Sequence, residues 1–147
     1  MSLMEQLTAD MKEAMKQGEK ERLSVIRLVR GAVRQAEIDG KKTLTDDEVV
    51  SVVNKEVKMR RDSIEEFERG SRPDLVAKAQ AEIAILMPYL PEQLSEDAVK
   101  TLAEAAVAEV GAQTAKDMGK VMGVLMPRVQ GRANGKLVQE IVRSLLH

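Results

Sequence analysis

Positive charge accumulates near the C-terminus, in the segment 116–147, around a glycine-rich turn. Six cations stand there against two acids, Asp117 and Glu140, although the whole chain of 147 residues carries a net charge of −1. A local excess of cations can bind a polyanion even when the molecule as a whole is nearly neutral. The six cations are Lys116, Lys120, Arg128, Arg132, Lys136 and Arg143.

The first five of these side chains form the predicted nucleic-acid interface. Arg128, Arg132 and Lys136 flank a turn at Gly131 that leads into a helix N-terminus, where unpaired backbone N–H groups also favour phosphate. A second interpretation stays open, in which the same charges form a solvated surface that keeps a small domain soluble.

Two glycines and three methionines follow a helical repeat in the same segment. Gly119 and Gly123 are one turn apart. We predict that they allow a neighbouring helix to pack closely while the methionines fill an irregular core, and a methionine-lined contact surface is the alternative. The methionines are Met118, Met122 and Met126.

Residue types that serve catalysis or bind metals are scarce. The chain has no cysteine and its single histidine is His147, so thiolate nucleophiles, catalytic triads and zinc sites have no candidates. Adjacent carboxylates such as Asp46 and Asp47 do not share a helical face and receive no acid or base role. We assign no catalytic residue, no metal ligand and no cofactor, and the sequence leaves open whether the chain has any enzymatic activity.

Aromatic side chains limit the way in which RNA could bind. The only aromatic residues are Phe67 and Tyr89, whereas proteins that read single-stranded RNA stack bases on exposed rings. We therefore expect contact with the phosphates and shape of a folded RNA such as tRNA, and we expect no binding to DNA.

Two further basic stripes lie on predicted helices nearer the N-terminus. Acidic neighbours such as Glu37 and Glu56 are within reach of them, so we interpret both stripes mainly as ion pairs within and between helices. The stripes consist of Arg27, Arg30 and Arg34, and of Lys55, Lys58 and Arg61.

The predicted location is cytoplasmic. Absence of cysteine fits a reducing compartment, and Glu5 and Asp10 argue against a signal or transit peptide. The most apolar stretch, residues 83–90, is broken by Pro88 and is far shorter than the ~20 residues of a membrane helix.

Helical periodicity along the chain predicts an all-α fold. Ser2, Thr45 with Glu48, Ser95 and Asn134 are predicted N-caps, and Gly18, Gly40, Gly70 and Gly111 are predicted helix ends. A short helix is expected from Asp117 to Met126, followed by a loop after Pro127. An extended hinge at 88–91 would divide a four-helix N-terminal domain, 1–91, from a three-helix C-terminal domain, 92–147.

Several sequence blocks resemble one known family. The blocks are KMRRDSIEEF at 58–67, RPDL at 72–75, YLPEQL at 89–94, DMGKVM at 117–122 and GRANG at 131–135. In this combination and order the chain resembles the YqeY-like family from end to end. Its C-terminal part is also similar to the tail domain of GatB, a subunit of the glutamine-dependent aspartyl/glutamyl-tRNA amidotransferase, through Gly119 to Met122 and Gly131 to Ala133.

The resemblance implies a non-catalytic tRNA-binding or tRNA-amidotransferase-associated protein. In the amidotransferase the tail lies against the body of tRNA, and the amidase subunit and kinase-like domain that carry the reaction have no counterpart here. The alternatives are a protein-interaction adaptor in translation and a glutamine-dependent carbon–nitrogen ligase by family association. Asn134 stands where the family frequently has Asp, which preserves a cap but changes the local charge. The oligomeric state is left open.

Overall fold

Seven α-helices and no β-strand make up the computed structural model, which describes residues 1–147 and confirms the predicted all-α class. The helices are α1 Leu3–Gln17, α2 Lys20–Gly40, α3 Asp46–Arg69, α4 Pro73–Leu86, α5 Glu96–Val110, α6 Met118–Val129 and α7 Gly135–Leu145. Short 3₁₀ turns lie at Met87–Tyr89 and Ala115–Asp117. None of the helices combines the length and apolar composition that a bilayer span requires.

The predicted N-caps satisfy backbone donors at the helix starts. The Ser2 hydroxyl accepts from the Glu5 N–H at 3.1 Å. At α3, the Thr45 hydroxyl accepts from the Glu48 N–H at 3.3 Å while the Glu48 carboxylate accepts from the Thr45 N–H at 3.1 Å. Each such cap stabilises a helix by about 1 kcal/mol, which is why these boundaries can be read from local sequence.

The end of α2 differs from the prediction by one residue. Gly40 is still helical, and the left-handed residue is Lys41 with φ 53°. Its backbone N–H reaches the Ile38 carbonyl and the Lys42 N–H reaches the Glu37 carbonyl. These bonds close the helix and offset the strain of a non-glycine residue in the left-handed region.

Helix α6 continues past Pro127 to Val129, so the predicted end at Met126 is wrong. Proline removes one backbone hydrogen bond and its ring crowds the carbonyl four residues earlier, which usually ends or kinks a helix. Val129 is buried, so packing of the last turn outweighs that loss.

The predicted extended hinge at 88–91 is also wrong in its first half. Residues 87–89 form a 3₁₀ turn, and Tyr89 is buried with its hydroxyl donating to the Asp10 carboxylate of α1. Extended backbone begins only at Leu90. A buried phenol needs a partner for its O–H, and Asp10 supplies it from far along the chain.

Tyr89 provides a first testable consequence. Burial, and then the hydrogen bond to Asp10, raises the pKa of Tyr89 above its ordinary value of 10.0. The unfolded chain loses this proton first, so the contribution to stability is complete below the ordinary pKa and falls as pH rises towards the folded pKa. Tyrosinate absorbance, which this one tyrosine alone produces, should appear only well above pH 10.

The Asp10→Asn variant is the control for that titration. It keeps an acceptor for the Tyr89 hydroxyl but removes the carboxylate charge, so tyrosinate should form at a lower pH than in the wild-type chain. Circular dichroism recorded alongside identifies the pH at which the fold itself is lost. Ionisation of the folded wild-type chain near pH 10 would contradict the assigned environment.

The chain forms two compact units, Met1–Leu90 and Pro91–His147. The first contains α1 to α4 around a core rich in valine, and the second contains α5 to α7 around a separate core. Whether these units are independently folding domains, as predicted for 1–91 and 92–147, stays a prediction. Fully buried members of the first core include Leu7, Ile26, Val53 and Leu86, and those of the second include Val99, Val121, Leu125 and Val142.

Candidate nucleic-acid interface

The outer face of α6 is open to solvent. Gly119, Lys120 and Gly123 are exposed, whereas Val121 and Leu125 on the opposite side are buried. A Cβ atom built on either glycine would meet no atom within 4 Å. The predicted close packing of these glycines against a neighbouring helix is therefore wrong, because the side of α6 that packs is its valine and leucine face.

The three methionines of α6 lie at the edge of this open face. They are half-buried and contact the core of the C-terminal unit. Each therefore fills part of the core while leaving part of its flexible thioether chain accessible. They are Met118, Met122 and Met126.

Open space around Gly123 predicts that alanine there stabilises the protein. Glycine inside a helix is about 0.5–1 kcal/mol less favourable than alanine, and the added methyl group would meet no neighbour. Urea unfolding of Gly123→Ala should show a gain of about that size. Gly131→Ala is the matched control and should be destabilised, because Gly131 has φ 74°. A loss of stability in Gly123→Ala would indicate a packing contact on this face.

Lys116 is exposed in the 3₁₀ turn that precedes α6, and Lys120 is exposed in the first turn of α6. Between them Asp117 accepts from the backbone N–H groups of Gln113 and Thr114, at 3.0 and 3.3 Å. These two hydrogen bonds, with a smaller contribution from Lys120, lower the pKa of Asp117. The Asp117 carboxylate thus stays charged while it binds the backbone of the preceding loop. The ammonium groups of Lys116 and Lys120 are exposed to solvent.

Arg128 is engaged by a carboxylate of α5. Its Nη1 and Nη2 atoms lie 2.6 and 3.0 Å from the two Glu109 carboxylate oxygens. The paired geometry raises the pKa of Arg128 and lowers the pKa of Glu109. Both side chains are about half exposed, so this is a surface ion pair that a phosphate could replace at little cost.

Arg132 is half-buried and holds the segment that enters the C-terminal unit. Its Nε donates to the Glu92 carbonyl at 3.4 Å, and its own carbonyl accepts from the Leu94 N–H at 2.8 Å. The Gln93 amide also donates to the Gly131 carbonyl at 2.8 Å. This arrangement gives Gly131 and Arg132 a structural role inside the chain, and the predicted contact of Arg132 with nucleic acid stays a prediction.

The start of α7 carries the last predicted cation. Asn134 is the N-cap, and its side-chain oxygen accepts from the Lys136 N–H at 3.0 Å. The Lys136 side chain is exposed in the first turn. Ala133 is half-buried against the core. Asn134 thus caps the helix as predicted, without adding a negative charge beside Lys136.

The five predicted cations differ in their surroundings. Lys116, Lys120 and Lys136 have exposed side chains. Arg128 pairs with Glu109, and the half-buried Arg132 donates to the Glu92 carbonyl. Sequence reasoning missed Glu109, because nothing in a spacing of 19 residues marks it as the partner of Arg128. The use of the five cations in nucleic-acid binding stays a prediction.

The basic stripes of the N-terminal unit also have mixed environments. Arg30 donates to the Thr8 hydroxyl at 3.2 Å, and Arg60, which lies beside the predicted stripe on α3, pairs with Glu56 and Glu82. Arg27 and Arg34 are exposed and make no ion pair. The expectation that the α2 stripe consists of ion pairs is therefore wrong, because its carboxylate neighbours are turned to other donors.

Comparison with known proteins gives a consistent family match. Residues 4–146 match the Yqey-like protein family. The chain is 34% identical to Altered inheritance of mitochondria protein 41, mitochondrial, of Pyrenophora tritici-repentis, over 92% of this chain and 78% of the relative. The protein of the same name from Kluyveromyces lactis is 33% identical over 82% of this chain and 70% of the relative. That of Candida glabrata is 32% identical over 78% and 68%.

These names overturn the predicted cytoplasmic location. All three relatives are named as mitochondrial proteins, so the prediction is wrong. Absence of cysteine was too weak a basis for this prediction. It indicates reducing conditions but does not distinguish one reducing compartment from another.

Proposed function

The chain belongs to the Yqey-like protein family, and on that premise we propose that its C-terminal unit is a non-catalytic module that binds tRNA. The observation that carries the proposal is the outer face of α6, where exposed lysines adjoin two glycines that no side chain covers. Glycines let a phosphate backbone approach the helix closely, and lysines supply point charges for it. These residues are Lys116, Gly119, Lys120 and Gly123.

The role proposed for each cation depends on the groups that it already contacts in this structure. Lys116 and Lys120 bind phosphate directly, and Lys136 adds a charge at the N-terminus of α7, where backbone N–H groups also favour anions. Arg128 contributes only when RNA displaces Glu109 from its guanidinium. Arg132 acts by holding the loop before α7 in place.

Titration of a folded tRNA at two salt concentrations tests this function. Three phosphate contacts predict that affinity falls by roughly one to two orders of magnitude between about 50 and 200 mM salt. Because the relatives are named as mitochondrial proteins, a mitochondrial tRNA should be among the tRNAs that are titrated. Absence of binding at the lower salt concentration, or binding that salt does not weaken, would refute the proposal.

A second function, as an adaptor for an amidotransferase or another translation protein, is favoured by the methionines beside the glycine face. Half-buried methionines next to open helix backbone can adapt to a protein surface. A complex that survives nuclease treatment and is lost on replacing Met122 by Lys would favour this function over RNA binding. A complex that is lost on nuclease treatment would favour tRNA binding.

A further inference from the structure

The outer face of α2 carries a row of exposed residues, here called the seam, that includes two large apolar side chains. Leu28 is 49% and Ile38 is 69% exposed, and Gly31 and Gln35 lie between them on the same face. The spacing of three and four residues is the one that lines the contact between two helices of a coiled coil. A Cβ at Gly31 would meet no atom within 4 Å, so another backbone can come close at the middle of the seam.

Two arginines lie along one side of this seam. Arg27 and Arg34 each precede a seam residue and are seven residues apart, which corresponds to about 10 Å along the helix axis. In a coiled coil these are positions whose charges select the partner helix. Both are exposed and neither makes an ion pair.

The nearby acids accept hydrogen bonds from other groups and form no ion pair with these arginines. Glu37 accepts from the Leu44 N–H at 2.9 Å, and Asp39 accepts from the Gln35 amide at 3.0 Å. Residues 20–42 contain seven cations against three acids, so the surroundings are electropositive as well. No carboxylate of this chain forms an ion pair with Arg27 or Arg34, so a negative charge on a partner would complement this face.

A hollow continues the seam beyond Ile38. It has a volume of about 440 Å³ and is lined by Arg34, Glu37, Ile38, Lys42 and Thr43. The Lys42 ammonium lies 2.8 Å from the Glu48 carboxylate, so Arg34 is the cation without a carboxylate partner there. A side chain from an occupant of the seam can enter this hollow and meet Ile38 and Arg34 together.

We propose that the outer face of α2 is a docking site for an acidic amphipathic helix of a partner protein. Its apolar side packs on Leu28 and Ile38 across Gly31, and two of its carboxylates, seven residues apart, pair with Arg27 and Arg34. Exposed aliphatic side chains flanked by arginine are typical of protein interfaces, whereas nucleic acid would leave both aliphatic side chains without apolar contact.

A second copy of the chain fits this face less well. An antiparallel pair of α2 helices centred on Gly31 places Arg27 opposite Gln35 and beside Arg34 of the other copy, which is repulsive. A parallel pair places Arg27 opposite Ala32 and Arg34 opposite Asp39, so only one of the two arginines gains a carboxylate. The occupant is thus a different sequence with acids at these positions.

A designed peptide tests the proposal on the full chain. The probe is a helical peptide of four heptads with leucine at its seam positions and glutamate beside them, and its matched control has lysine in place of each glutamate. We expect the glutamate peptide alone to bind at low salt. Arg27→Glu combined with Arg34→Glu should weaken that binding by at least tenfold and should create binding to the lysine peptide.

Two variants control for folding and for general charge effects. Leu28→Ala with Ile38→Ala removes the apolar anchors, keeps the charge, and should weaken binding about tenfold. Lys55→Glu with Lys58→Glu makes the same change of net charge on exposed sites of α3 and should leave binding intact. Circular dichroism should be unchanged in all of them.

Several outcomes would overturn the proposal. These are equal binding of both peptides, an equal loss in the α3 control, and concentration-dependent self-association that Arg27→Glu abolishes. Binding of acidic phospholipid vesicles or RNA that depends on the same residues, without peptide binding, would also overturn it. The tRNA titration of the C-terminal unit is a separate readout, so either proposal can fail while the other holds.

Discussion

Replacing Leu125 by alanine should destabilise the C-terminal unit by about 2–5 kcal/mol, because it leaves a cavity in a well-packed core. Leu125 is fully buried on the inner face of α6 and belongs to the core formed by α5, α6 and α7. A loss of this size is comparable with the whole stability of a small unit. Urea unfolding followed by NMR signals from each unit measures it.

Leu86→Ala is the matched experiment in the N-terminal unit. Leu86 is also fully buried but belongs to the other core. If the two units are separate domains, each variant should shift the unfolding midpoint of its own unit and leave the other nearly unchanged. A single cooperative transition that both variants shift equally would contradict a division into two domains.

Reversing the three exposed lysines of the proposed RNA site should lower tRNA affinity by about 100-fold or more at low salt, since each lost phosphate contact also becomes a repulsion. The variant combines Lys116→Glu, Lys120→Glu and Lys136→Glu. All three side chains are exposed, so the fold should be preserved. Filter binding or fluorescence anisotropy with the same tRNA gives the result.

Three controls separate a site from a general charge effect. Lys55→Glu, Lys58→Glu and Lys78→Glu together make the same change in net charge on exposed positions of the N-terminal unit and should cost much less affinity. Arg128→Ala should have a small effect because Glu109 already holds that guanidinium. Glu109→Gln releases Arg128 and should strengthen binding. Equal losses in both triple variants would mean that no localised RNA site exists.

Helix positions were largely predictable because their determinants are local. Ser2, Thr45 and Asn134 cap helices through hydrogen bonds to N–H groups two or three residues away, so residue type and spacing suffice to predict them. The family could likewise be recognised from short blocks in a fixed order. The errors at Lys41 and Pro127 arose where packing or end hydrogen bonds outweighed the usual preferences of single residues.

The residue types of the candidate site were predictable from sequence. Which of its groups face solvent and which bind other parts of the chain was not. Sequence alone determined that positive charge gathers in 116–147 and that glycines and methionines repeat along one helix. Only the tertiary structure decided that the glycines face solvent, that Arg128 binds Glu109 across 19 residues, and that Tyr89 reaches Asp10 across 79. A helix repeat specifies which residues share a face, whereas the partner of that face depends on how distant helices pack.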